Sequence, residues 1–227
     1  MTDPGAQAAR KELPSLPPVT PPVVKPVFKE DPRKESTPPT STPNSTTEPP
    51  KPAAETVAEV FRRGQGQLKA SEYQAAIESF SSVIAQQPKR AQAYYNRGQA
   101  HQLLMENEAA IKDYGDAIRL KPEDPLPYLE QGVCLVRLRR DDEAFADFNR
   151  ALELRPELAA ALNGRGGVLL RRRQYENAIR DFTTALSLNP RFVQAYRNRA
   201  SAKQAMGDKA GAQADRKAAE NAKNGAP

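Results

Sequence analysis

Apolar and polar residues alternate along this chain with the periods of helices, and the pattern itself repeats. Residues 76–84, 110–118, 144–152 and 178–186 all read Ala-(Ile/Phe)-x-x-(Phe/Tyr)-x-x-(Ala/Val)-(Ile/Leu). Apolar groups at i, i+1, i+4, i+7 and i+8 form one stripe of an α-helix and do not fit strand alternation. Glu, Lys, Asp, Arg, Ser, Asn and Thr fill most of the positions between them. Pro88, Pro122, Pro156 and Pro190 stand 34 residues apart, so the chain divides without insertion into units 57–90, 91–124, 125–158, 159–192 and 193–226.

Each unit predicts two helices. The first carries a bulky residue (Val60, Tyr94, Tyr128, Leu162, Tyr196) and, four residues on, a small one (Gly64, Gly98, Gly132, Gly166, Ala200). The second carries alanine at the unit's twentieth position (Ala76, Ala110, Ala144, Ala178, Ala212) and, in units one to four, an aromatic at the unit's twenty-fourth. Small residues let the two backbones approach, the aromatic fills the space beside them, and the proline after the second helix forces the turn into the next unit. Unit five keeps Ala212 and Ala219 but places Gln213, Arg216 and Glu220 where the others are apolar, which suits a terminal cap with one wet face.

These columns resemble the tetratricopeptide repeat (TPR), in which a large residue, a glycine, an alanine, an aromatic and a proline recur in a 34-residue helix-turn-helix. The resemblance covers residues 57–226 and implies an all-α solenoid, a right-handed superhelix whose first helices line a concave groove for peptides or partner helices. Two departures stand out. The first bulky position is never Trp, and the usual leucine before the glycine is Arg63, Arg97, Gln131 or Arg165, whose stems are expected to snorkel along the packing.

Composition separates off the rest of the chain. Of 21 prolines, fourteen fall in residues 1–52. That stretch has one aromatic, Phe28, and cannot bury enough apolar surface to offset the entropy of ordering it, so it is expected to be a disordered proline-rich tail ahead of a domain over 53–227. Its PxxP spacings and its one apolar cluster, Val23–Phe28, leave room for a weak ligand role, but a spacer is the plainer reading. The sequence has no apolar run long enough to span a membrane and no secretory pattern at its start, so a soluble, cytoplasmic protein is expected.

Candidate chemistry is sparse. One cysteine and one histidine leave little for a disulfide, a metal site or a cofactor, and none is expected. Cys134 reads as a small buried residue and His101 as a helix-packing one. No phosphate loop, nucleophile elbow or dinucleotide fingerprint is present, and the chain is not expected to be an enzyme.

The resemblance carries the family's groove-facing columns onto Phe61, Tyr95, Gln99, Leu126, Leu129, Val133, Asn163, Leu170, Arg171 and Arg197. An apolar strip flanked by amides, with a basic far end, suits a peptide or helix with acidic residues at one end, and so a scaffold or adaptor whose partners are other proteins. The Lys/Asn/Arg clamp by which some TPR domains hold a chaperone's terminal carboxylate is missing: in the first register only Asn96 matches, and Glu130 has the wrong sign. Arg137, Arg139, Arg140, Arg171, Arg172 and Arg173 form a basic edge. They either complement helix C-termini or, as the alternative function, bind nucleic acid or an acidic partner. The net charge of +6 is small for a dedicated nucleic-acid binder.

Overall fold

A computed structural model describes residues 55–224, and the disordered tail expected over 1–52 lies outside the described residues. Within them the chain forms ten α-helices and no strand: α1 Val57–Lys69, α2 Tyr73–Gln86, α3 Ala91–Leu103, α4 Asn107–Leu120, α5 Pro125–Arg137, α6 Asp141–Leu154, α7 Ala159–Arg171, α8 Tyr175–Leu188, α9 Val193–Ala205 and α10 Lys209–Lys223. The fold is an all-α TPR solenoid. Side chains cap several of the helix starts. Thr56 and Glu59 form a reciprocal capping box that opens α1, and Asp124 accepts from the Leu126 amide ahead of an N-terminal proline in α5.

The two kinds of turn have different causes. Between the helices of a pair, Ser71, Met105, Arg139, Arg173 and Gly207 all take left-handed φ. The amides of Glu72, Glu106, Arg140, Gln174 and Asp208 then reach back five residues to a first-helix carbonyl, for example Arg140 to Leu135 at 2.9 Å, the bond pattern of a Schellman stop. Between pairs, Gln87, Lys121, Arg155 and Asn189 leave the helical region because a proline follows each. Tyr94 and Tyr128 fasten two of these turns by donating to the carbonyls of Pro88 and Pro122.

The core repeats with the sequence. Ala76, Ala110, Ala144, Ala178 and Ala212 are wholly buried, as are Phe80, Tyr114, Phe148 and Phe182. Glycine is required where an aromatic presses on the helix: a Cβ on Gly132 would lie 2.8 Å from Phe148 Cε1, and one on Gly164 2.5 Å from Phe148 Cζ. Successive first helices touch one another, α1 to α3 and on to α9, whereas no two second helices do. The stack therefore curves with the first helices inside.

Three of the arginines before the small residue of the first helix do more than snorkel. Arg97, Arg165 and Arg199 each grip an aspartate sixteen residues on, Asp113, Asp181 and Asp215, through paired bonds of 2.6–2.9 Å. The same guanidinium donates back to the preceding second helix at Ser81, Asn149 or Thr183, at 3.0–3.1 Å. Each such rung ties three helices, two of them in one repeat and one in the repeat before, with charge-assisted geometry.

Candidate functional site

The inner face holds a hollow of about 340 Å³ between α5, α6, α7 and α9. Val133, Val136 and Leu170 form its apolar wall, the Phe148 ring lies at its base, and Asn163, Asn198 and Arg171 supply polar groups. It opens because two glycines on α7 differ in setting. Gly164 seats directly on Phe148, while a Cβ on Gly167 would meet nothing within 4 Å. Asn198 donates to Asn163 Oδ1 at 3.0 Å and accepts from Gln194 at 2.9 Å. That fixes the pair, and no protein acceptor takes the Asn163 amide hydrogens among the described residues.

Of the residues expected in the groove, Val133, Asn163, Leu170 and Arg171 come together here. Tyr95 lines a separate hollow of about 250 Å³ with Gln92, Lys121 and Asp124. Gln99 donates to its hydroxyl, and burial, helped by the charges of Glu130 and Asp124, pushes that phenol up to about 12. Leu126 is half-buried and Arg197 exposed; neither lines the larger hollow.

Two placements depart from the expected strip. Phe61 is buried edge-on against Phe80 with its ring under the Arg90 guanidinium, 3.8 Å from its centroid. Arg90 ends the same repeat, and periodicity alone does not show that it folds back over the ring. Leu129 lies in the core cluster with Phe148 and Leu162, 6% exposed. Conversely, Gly164, Asn198 and Phe148 were not among the expected groove residues. Gly164 and Asn198 share the sixth column of the repeat, beside the columns expected to face the groove.

The basic edge is largely neutralised by its neighbours. Arg171 holds Asp141 through bonds of 2.6 and 2.7 Å, and this bonding keeps the Asp141 carboxyl below the usual carboxylate range. Arg172 pairs with Asp142 and covers the Phe145 ring, and Arg140 pairs with Glu143. Arg137 donates to the Gln102 carbonyl and to Asn107. Arg139 and Arg173 sit in the left-handed turns, exposed.

Cys134 is buried against Ala110 and Tyr114, and burial pushes its thiol up to about 11. His101 is half-buried, with Nδ1 2.6 Å from Glu106. Among the described residues no group of three or more His, Cys, Asp or Glu is placed to hold a metal, and no helix is long and apolar enough to cross a membrane.

Comparison with known proteins agrees with the repeat fold. Two family profiles, each described as a tetratricopeptide repeat, match residues 61–125 and 105–159 and residues 159–192. Similar solved structures include MamA from Desulfovibrio magneticus, with TM-score 0.68 and 16% identity over 76% of this chain and 98% of that one. YrrB, described as a TPR protein with an unusual peptide-binding site, has TM-score 0.61 and 18% identity over 74% and 86%. A tetratricopeptide repeat protein from Parabacteroides merdae has TM-score 0.61 and 27% identity over 70% and 62%. No curated protein matches the sequence.

Proposed function

Because this chain belongs to the tetratricopeptide repeat family, we propose that it is a non-catalytic protein-interaction scaffold that holds a peptide or helix segment of its partner on the inner face of repeats 3 to 5. The observation that carries this is the hollow walled by Val133, Val136 and Leu170 and edged by the Asn163–Asn198 pair. An apolar side chain of the partner enters it, and the Asn163 amide is placed to bond the partner's backbone, the division of labour expected of a peptide site. That YrrB, of similar fold, is described by a peptide-binding site supports the reading by analogy.

Arg171 lies at the rim, where a partner carboxylate would compete with Asp141 for it. This favours an acidic residue beside the apolar anchor over a strongly acidic tract. The alternative of a nucleic-acid edge is weaker, since Arg140, Arg171 and Arg172 already pair with carboxylates and phosphate binding would have to break those pairs. In this reading the proline-rich residues 1–52 serve as a spacer.

The test is partner capture from nuclease-treated lysate of the source cell, with wild type and with Val133→Asp/Leu170→Glu. Both positions are only partly buried, so the variant should keep its helical circular dichroism. A protein retained by the wild type and lost from the folded variant supports the reading. The same set retained by both refutes it.

A further inference from the structure

The arginine–aspartate rung is missing from two repeats. In repeat 1, Ser79 stands where the others have aspartate and accepts from Arg63 at 3.4 Å. In repeat 3 the arginine position is Gln131, and the preceding second helix offers Gly115 where the complete rungs use Ser81, Asn149 and Thr183, yet the aspartate persists as Asp147. Gln131 donates to the Ile111 carbonyl at 2.9 Å. That ties α5 to α4 but gives the aspartate nothing. Asp147 Oδ2 is shut off from solvent and has no hydrogen-bond partner among the described residues. Asp113, Asp181 and Asp215 in the complete rungs each hold a bidentate guanidinium.

Among the described residues no other charge makes good the loss. On α6 itself, Glu143 adds negative charge one turn away, and Arg150 is taken by Glu153. The helices packed on α6 are α5 and α7. On α5, Glu130 accepts from Gln102 and Arg137 donates to the Gln102 carbonyl. The Tyr128 hydroxyl is turned to Pro122 and Cys134 packs on Tyr114. On α7, Arg165 is held by Asp181 and Asn149, and Arg171 by Asp141.

We infer that the rung of repeat 3 is a proton-operated joint in the solenoid, settled when Asp147 carries a proton and loosened when it ionises. An ionised carboxylate with a buried, unpaired oxygen is costly, and protonation removes most of that cost. Burial, with the repulsion of Glu143, pushes the Asp147 carboxyl up to about 7. The sign follows from linkage. The folded value lies above the unfolded carboxylate value of about 4, so the folded state holds the extra proton and stability falls as pH rises from about 4 through 7. The joint lies behind the inner face: Asp147 adjoins Phe148, whose ring is the base of the hollow. The inference stands on the rung geometry and holds whether or not that hollow binds a peptide.

The direct test is a carboxyl carbon NMR titration of the wild-type chain. Asp147 should titrate with a midpoint near 7, and in Gln131→Arg, which supplies the missing guanidinium, the midpoint should fall into or below the ordinary carboxylate range. The second measurement is the urea midpoint between pH 5 and 8 for wild type, Asp147→Asn and Gln131→Arg. The wild type should lose stability across that window relative to both variants. A wild-type Asp147 midpoint near 4, or a pH slope unchanged in Asp147→Asn, overturns the inference.

Discussion

Gly164 and Gly167 lie less than one turn apart on α7, and replacing each by alanine should move stability in opposite directions. Any Gly→Ala change inside a helix gains about 0.8–1 kcal/mol from backbone entropy. At Gly167 nothing opposes that gain, because the new methyl meets no atom within 4 Å. At Gly164 the methyl would lie 2.5 Å from Phe148 Cζ and 2.6 Å from Cε1. Phe148 is 0% exposed and cannot swing aside. Overpacking of this kind costs about 1–3 kcal/mol, and more where neither backbone nor ring can yield. A contact below 3 Å with a fully buried ring belongs at the upper end, so Gly164→Ala should lose about 1–2 kcal/mol net while Gly167→Ala gains up to about 1. Urea unfolding followed by circular dichroism at 222 nm measures both. For a domain of this size each kcal/mol corresponds to about 2–4 °C in the thermal midpoint. Equal midpoints for the two variants, or a more stable Gly164→Ala, would refute the close seating of α7 on Phe148 and the account of why the hollow is open.

Further outcomes follow from the same structure. Arg165→Met should cost about 1–3 kcal/mol by leaving Asp181 unpaired, and adding Asp181→Asn should recover part of the loss in a double-mutant cycle. Gly207 takes φ +87°, so Gly207→Ala should cost about 1 kcal/mol in the same urea assay, whereas an alanine with no effect would contradict that turn. Arg171 holds the Asp141 carboxyl below its ordinary value. The stability it adds is therefore present above about pH 4 and lost as pH falls through the lower folded value, and Asp141→Asn should flatten that acid limb. The Cys134 thiol, pushed up to about 11 and buried, should react with a disulfide reagent at neutral pH only after urea unfolds the chain.

What could be read from the sequence was whatever recurs every 34 residues. The small, aromatic and proline columns each have one packing job, and a job repeated in several units declares itself. For the same reason the columns read as inward-facing bring Val133, Asn163, Leu170 and Arg171 to one hollow. They do not show that a guanidinium covers Phe61 in the first repeat only, or that the core of repeat 3 takes in Leu129. The rungs were half legible: the arginine column was plain, but its aspartates lie sixteen residues away on another helix, and their pairing depends on how two helices dock. The opposite settings of Gly164 and Gly167 depend on where one ring sits, which no spacing encodes.

The proposed partner site is the inner face beside α7. A photo-crosslinking amino acid placed at Gly167, which has room for a side chain, and in a second chain at Arg180, exposed on the outer helix α8, tests it in the source cell. A crosslinked partner is expected from position 167 and none from position 180. The same product from both positions, or a product from 180 alone, would contradict it.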